Sequence, residues 1–89
     1  MRFEWDPAKA RENLRKHGVD FADAVIALED ECALTIEDRY SPEVRFKTLG
    51  MGPQLGSLLI VHARRFEGVI RILSARRANH KQTKAYSDG

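Results

Sequence analysis

The spacing of apolar residues changes once along this chain, and that change limits the architecture more than any other feature. Phe21, Ala24, Val25 and Leu28 recur at i, i+3, i+4 and i+7, the pattern of an amphipathic helix. After the Glu29-Asp30-Glu31 run the pattern alternates instead: Leu34 and Ile36 point one way, Thr35 and Glu37 the other. Helical elements therefore precede strands, which argues for an α+β domain with helices gathered on one side of a sheet.

Local signals refine this outline. Asp6-Pro7 reads as a helix start, because the carboxylate caps free N–H groups and proline needs no donor in the first turn. The helix runs through the apolar pair Ala10/Leu14 and the charge pair Glu12/Lys16 to Gly18, a left-handed stop. Asp20 caps the second helix, with Val19 placed to pack on Ala24. Phe3 and Trp5 suit a short first strand, although so few residues define no period.

Residues 38–42 read as a turn. Val44, Phe46 and Thr48 then form an inward face against an outward Glu43, Arg45 and Lys47. Gly50, Gly52, Pro53 and Gly56 suggest a loop. Ser57 to Arg65 is a central strand, apolar on both faces, joined through Phe66-Glu67-Gly68 to a returning strand over Val69–Arg76. The polar tail from Ala78 to Asp88 suits a weak final helix. The expected architecture is two N-terminal helices on one face of an antiparallel sheet of about four strands, then a short C-terminal helix.

Eighty-nine residues bound one domain, residues 1–89, and exclude doubly wound dinucleotide folds and (β/α)₈ barrels. A core of that size is marginal alone and gains from a partner. The single cysteine, Cys32, excludes an internal disulfide and a Cys-rich zinc site. No signal-peptide stretch opens the sequence, and the longest apolar run, Leu58-Leu59-Ile60-Val61, is too short to cross a bilayer. A soluble cytoplasmic protein that makes no membrane contact is expected.

The net charge of +2 conceals a strong asymmetry. Residues 20–43 hold eight acidic groups and one basic, whereas residues 60–89 hold seven basic and two acidic. Such segregation can mark a polyanion-binding face, but charge alone favours solvated faces that segregate along the chain. If helices cover the side of Val44, Phe46, Leu34 and Ile36, the open side carries Glu43, Arg45 and Lys47, and Arg71 from the last strand. Two guanidinium groups hold a phosphate bidentately and stabilise charge that develops on it. A carboxylate beside them takes a proton from a ribose 2′-hydroxyl. The same three residues, Glu43, Arg45 and Arg71, also suit a cross-strand ion pair without chemistry, and neighbouring arginines weaken a carboxylate as a base.

His17 suits the last turn of the first helix, where a cation meets the helix dipole, and His62 suits a buried, hydrogen-bonded place in an apolar strand. The histidine spacings match no short metal-ligand pattern, so no metal or cofactor is expected. Tyr40, Tyr86, Phe66 and Trp5 are aromatics suited either to stacking on RNA bases or to the core. Arg76 and Arg77, with Lys81 and Lys84, are candidates for phosphate contact.

Several segments together carry a family resemblance. They are Phe3-Glu4-Trp5-Asp6 with Lys9-Ala10, Asn13-Leu14-Arg15-Lys16-His17-Gly18-Val19, and Phe21 with Ala24. Glu43-Val44-Arg45-Phe46 leading to Gly50, Leu58-Leu59-Ile60-Val61, Ile70-Arg71-Ile72-Leu73-Ser74-Ala75-Arg76, and finally Ala78 and Tyr86 complete them. In this order the chain resembles the BrnT toxins of bacterial type II toxin–antitoxin pairs, whose fold is similar to that of RelE-type ribonucleases.

The resemblance implies a metal-independent endoribonuclease that inhibits growth by cutting RNA. It also implies a BrnA-like ribbon-helix-helix antitoxin, with operator DNA contacted only through the complex. Among the polar residues that fall in the family's segments are Lys16, His17, Glu43, Arg45, Arg71, Ser74, Arg76 and Tyr86. The resulting expectation places Glu43, Arg45, Arg71 and His17 in catalysis, and Lys16, Arg76, Arg77, Tyr86 and Lys81 in RNA binding. The antitoxin is expected on the basic C-terminal third.

One departure stands out. Members commonly carry Glu-Arg shortly before the final tyrosine, where this chain has Gln82-Thr83. Neither an amide nor a threonine reproduces that chemistry, so a weak or inactive toxin that acts as antitoxin partner and co-repressor is the alternative.

Overall fold

The structure, a computed structural model, describes residues 2–39, 42–54 and 56–88. Its elements in order are β1 (Arg2–Glu4), α1 (Pro7–His17), α2 (Phe21–Leu28), β2 (Leu34–Asp38), β3 (Arg45–Met51), β4 (Ser57–Arg64), β5 (Val69–Arg77) and α3 (His80–Asp88). The strands make one sheet in the order β1-β5-β4-β3-β2. All neighbours are antiparallel except β1, which runs parallel to β5. The sheet thus has five strands rather than about four; β1, at three residues, is too short to declare itself by alternation. Of the expected turn over 38–42, Tyr40 and Ser41 lie outside the described residues. Among the described residues no helix is long and apolar enough to cross a membrane.

Both N-terminal helices form where their caps predict. The Asp6 carboxylate accepts from the Ala8 amide at 2.9 Å, and Gly18 ends α1 at φ 69°, a left-handed conformation that glycine adopts without a Cβ clash. Asp20 accepts from the Ala22 amide at 2.9 Å to start α2. Val19, Phe21, Ala24 and Ala27 bury against Leu58 and Ile60 of β4 and Ile72 and Ala75 of β5. Trp5 meets the Phe21 ring edge-on, with centroids 6.0 Å apart. Each large side chain so buried stabilises the fold by roughly 1.5–3 kcal/mol.

Leu14, expected to pack inward with Ala10, is instead 48 % exposed, and the buried residue of α1 is Asn13. Its amide nitrogen donates to the carbonyls of Val19 at 2.9 Å and Ala75 at 2.8 Å, while its oxygen accepts from the Ala75 amide at 3.0 Å. Strand β1 pairs with β5 only from Val69 to Arg71, so the edge of β5 beyond it has no strand neighbour. Asn13 supplies at Ala75 the two hydrogen bonds that a neighbouring strand would have made.

The pairing register decides which side chains face the helices. Gly50, Thr48 and Phe46 of β3 stand opposite Leu58, Ile60 and His62 of β4, and this is the helix side. Gly50, expected in a loop, lies within β3 because α2 rests on it: a Cβ there would sit 2.0 Å from the Ala27 carbonyl oxygen. Thr35 and Glu37 pair with Thr48 and Phe46, which turns Leu34 and Ile36 to the other side, where they are 37 % and 66 % exposed. The expectation that Leu34 and Ile36 share a face with Phe46 is thus overturned by a register in which one residue's shift inverts a strand. Val44 precedes β3 and is also exposed.

A bulge shapes β5. Val61 pairs with Ser74 but His62 with Ile72, leaving Leu73 unmatched. Ile72 and Ala75 therefore both enter the core although they are three residues apart, while Arg71 and Ser74 both face away from the helices. Strict alternation would have put Arg71 and Ala75 on the same side.

One polar chain on the helix side runs from buried His62 and Thr48 out to exposed Thr35. His62 Nε2 lies 2.8 Å from the Thr48 hydroxyl, which lies 2.7 Å from that of Thr35. The Phe46 ring stacks on the imidazole. Burial, assisted by the charge of Arg64, pushes the His62 pKa down to about 4.

Two outcomes follow for stability. Asn13→Leu orphans three backbone groups and should cost roughly 2–4 kcal/mol in urea unfolding, whereas Glu12→Ala, which removes exposed ion pairs, should leave the unfolding curve nearly unchanged. As pH falls from about 6.5 towards about 4, the unfolded chain takes up a proton at His62 that the folded chain resists, so stability falls through that window. The His62 ring resonances should titrate near 4 in the folded protein; a midpoint near 6.5 would contradict the buried imidazole.

Candidate active site

The side of the sheet away from α1 and α2 is organised in three cross-strand rows. Arg45 follows the last β3–β4 pair, Phe46 with His62, and so lies beside Ala63, which pairs with Arg71, which pairs with Glu4. Asp38 completes this row opposite Arg45. The next row is Ile36, Lys47, Val61 and Ser74, and the third is Leu34, Leu49, Leu59 and Arg76.

The first row concentrates the chemistry. Two arginines flank one alanine, and two strand spacings put their Cα atoms about 10 Å apart. Ala63 has no side chain beyond a methyl group, so the space between the guanidinium groups has a low, apolar floor. Arg71 Nη1 lies 3.4 Å from Glu4 Oε1, with the arginine side chain 26 % exposed. Arg45 Nη2 lies 3.9 Å from Glu43 Oε1, and the Arg45 Nε is buried without a hydrogen-bond partner among the described residues. Each guanidinium is thus steadied by a carboxylate, and the pair forms a fork suited to an oxyanion such as phosphate.

The other expected residues fall in different places. Lys16 and His17 line a groove of about 200 Å³ between α1 and β5, together with Leu73 and Ser74, and Lys16 pairs with Glu12 at 3.7 Å. Ser74 belongs to the second row, so this groove borders the open side along β5. Arg76 lies in the third row, but Arg77 stands opposite Leu58 and so faces the helix side. Lys81 and Tyr86 ride on α3, beyond the end of β5.

Tyr86 is engaged elsewhere. Its hydroxyl donates to the Asp30 carboxylate, which also accepts from the Met51 and Cys32 amides at 2.8 and 3.0 Å. The Tyr86 hydrogen bond, followed by the two amides, holds the Asp30 carboxyl below its ordinary range, and the same bond pushes the Tyr86 phenol up to about 12. Tyr86 therefore ties α3 to the α2–β2 connection.

Gln82 and Thr83 are engaged as well. Gln82 and Asn79 exchange side-chain and main-chain hydrogen bonds at 2.8 and 3.0 Å, a reciprocal box that starts α3. The Thr83 hydroxyl bonds that of Ser57 at 3.0 Å.

Glu4 is the site residue that sequence reasoning missed. The signal was present in Phe3-Glu4-Trp5, but its meaning depended on the parallel pairing of β1 with β5. Among the described residues no group of three or more His, Cys, Asp or Glu is placed to hold a metal ion.

Comparisons with known proteins agree with this architecture. A search of curated proteins finds no match. Among solved structures, the fold is similar to the crystal structure of the Brucella abortus ribonuclease toxin BrnT, with a TM-score of 0.67 and 23 % identity. That alignment covers 90 % of this chain and 99 % of the other. Residues 5–82 match the profile of the family described as "Ribonuclease toxin, BrnT, of type II toxin-antitoxin system". With residues 5–82 of its 89 inside that match, the chain belongs to the BrnT family of ribonuclease toxins.

Proposed function

We propose that this protein is a metal-independent endoribonuclease that cuts RNA at the Arg45–Ala63–Arg71 row, and that it acts in the cytoplasm to inhibit bacterial growth. The observation that carries the reading is the adjacency of two arginines across Ala63. In this reaction the ribose 2′-oxygen attacks the neighbouring phosphorus, a new P–O bond forms, and the bond to the 5′-oxygen breaks. The departing 5′-oxygen takes a proton from Lys16, at the β5 border of the row, so that the products are a 2′,3′-cyclic phosphate and a 5′-hydroxyl. Arg45 and Arg71 hold the phosphate and stabilise the added charge on its non-bridging oxygens.

Glu43, the carboxylate beside Arg45, takes the 2′-hydroxyl proton. Lys16 and His17, at the β5 border, contact the strand as it leaves the row, and Arg76 contacts the backbone two rows away. Lys81 and Arg77 are peripheral to this path, and Tyr86 serves by holding α3 rather than by touching RNA.

Type II toxins have a cognate antitoxin. A BrnA-like ribbon-helix-helix partner would neutralise this one by covering the open side, where apolar Ile36, and then Leu34 and Leu49, lie in the two rows beyond the arginines. Operator DNA would then be contacted through the antitoxin.

The rival, an inactive antitoxin-binding scaffold, loses part of its support because Gln82 and Thr83 have structural partners in this chain. An amide fills the capping position as well as a carboxylate does.

The test is cleavage of RNA by the purified chain in the presence of a chelator. Cleavage should persist and leave cyclic-phosphate ends. Arg45→Ala and Arg71→Ala should each slow it by about 100-fold or more, as expected for loss of an oxyanion donor. Both variants should lower the unfolding midpoint only slightly, because the ion pairs they lose are half-exposed. Unchanged cleavage in both would overturn the site, and intact RNA with the unsubstituted chain would leave the scaffold as the better reading.

A further inference from the structure

Around the end of the sheet from the arginine row lies a second cavity, on the helix side, with a volume of about 680 Å³. Sites of roughly 300–1,000 Å³ suit small organic ligands. Its walls come from Leu28 at the end of α2, from Thr35, Thr48 and His62 on the sheet, and from the β4–β5 hairpin, residues 64–70. Nothing assigned to the arginine row uses these residues.

Four features of the cavity agree on one ligand chemistry. Its polar floor is the chain of His62, Thr48 and Thr35, in which the first two are buried and Thr35 is exposed. The imidazole is 5 % exposed, and its Nδ1 has no hydrogen-bond partner among the described residues. At the wall, the Arg64 guanidinium lies 5.0 Å from the centroid of the Phe46 ring, which itself stacks on His62. Arg65 follows it on the hairpin, with Glu67 as the one carboxylate of the lining. At the rim, Phe66 is 78 % exposed, an aromatic that contributes almost nothing to the core.

A hydrogen-bonding floor, a free aromatic face and two guanidinium groups are the elements that recognise a base, its ring and its phosphate. Position links the two sites. Ala63, in the arginine row, directly precedes Arg64, so a strand lying across the row and turning over the end of β4 meets Arg64, Arg65 and Phe66 in succession.

We propose that this cavity is a nucleotide subsite, in which a base of single-stranded RNA next to the cut phosphate stacks on Phe66 and presents its edge to Thr35, with its phosphate held by Arg64 and Arg65. The inference rests on the ribonuclease reading of the open side and adds to it a site of base selection. Thr48 and His62 act behind Thr35 as positioning residues. If Nε2 carries the proton, Thr35 is free to donate to the base; if Nδ1 carries it, Thr35 donates inward and offers the base only an acceptor.

The experiment uses the full chain, with UMP, CMP, AMP and GMP titrated singly while amide resonances are followed. Shifts should concentrate at Thr35 and at residues 64–68; Phe66→Ala should weaken binding by about 10-fold, the scale of one lost base-stacking contact, and Arg65→Ala by about 10-fold through loss of a charge-assisted phosphate contact. Phe66 is exposed, so its replacement leaves the fold intact. With RNA as substrate, Phe66→Ala should raise KM and flatten the base preference beside the cut while kcat changes little.

Binding that is insensitive to both substitutions, or shifts confined to the arginine row, would overturn the subsite and leave the ribonuclease reading standing. Mononucleotide binding through Phe66 without any effect on the cleavage pattern would overturn its role in RNA selection. If the chain binds nucleotides through Phe66 but cuts no RNA, the cavity stands as a nucleotide site and the ribonuclease reading fails.

Discussion

The amide of Asn13 is the contact on which the placement of α1, the turn at Gly18-Val19 and the free edge of β5 all depend. A β-strand edge buried under a helix leaves peptide groups without partners, and each one costs about 1–3 kcal/mol. Asn13 satisfies the donor and the acceptor of Ala75 together, and binds the Val19 carbonyl as well. A leucine would fill similar space but satisfy none of them. Because these bonds fix β5 at Ala75, they also fix the strand beside its bulge at Leu73. The bulge in turn determines that Arg71 faces away from the core while Ala75 faces into it. Asn13 thus anchors the stretch of β5 on one flank of the bulge, while pairing with Ala63 and Glu4 holds Arg71 on the other.

Local signals were legible where they depended on neighbours in sequence. Asp6, Gly18 and Asp20 marked the helix ends, and the alternation from Arg45 onward placed Arg45 and Lys47 opposite Phe46 and Thr48. The same reading failed at Leu34, Ile36 and Gly50, for a common physical reason. The side a strand turns inward is set by its register with β3, and an apolar alternation is the same pattern whichever side is buried. Gly50 could not be distinguished from a loop glycine, because its reason is the backbone of Ala27, which only tertiary packing brings within reach. Asn13 was hidden similarly, since its partner at Ala75 lies 62 residues away. Of the candidate site, Arg45 and Arg71 were reached from the strands alone, whereas Glu4 needed the parallel β1.

The charge asymmetry also acquires a structural meaning. Several carboxylates of the acidic stretch are occupied by architecture rather than by long-range electrostatics. Asp20 caps α2, and Asp30 gathers two amides and the Tyr86 hydroxyl into one knot. Others, such as Glu37 and Asp38, lie on β2 at the far edge from β1 and β5. Apart from Arg77, the basic groups of β3 and β5 meanwhile share one side of the sheet. Sequence segregation of charge therefore becomes segregation across the sheet, and a polyanion approaching the Arg45–Arg71 side encounters the carboxylates mainly at its margins, paired to the arginines.

Gln82 and Thr83 show how a chain can differ from its relatives' pattern without losing the element that carries the difference. The capping box asks for an acceptor at the third helical position, and glutamine supplies one as glutamate does. Thr83 reaches Ser57 across the start of β4, so this turn of α3 is committed to attaching the helix to the sheet. Tyr86, one turn further on, completes the attachment through Asp30. A helix held by these two contacts keeps its remaining surface, including Lys81 and Lys84, for solvent. Under the ribonuclease reading, α3 is then a clasp on the fold, and the phosphate-directed work falls to the two arginines that Ala63 separates.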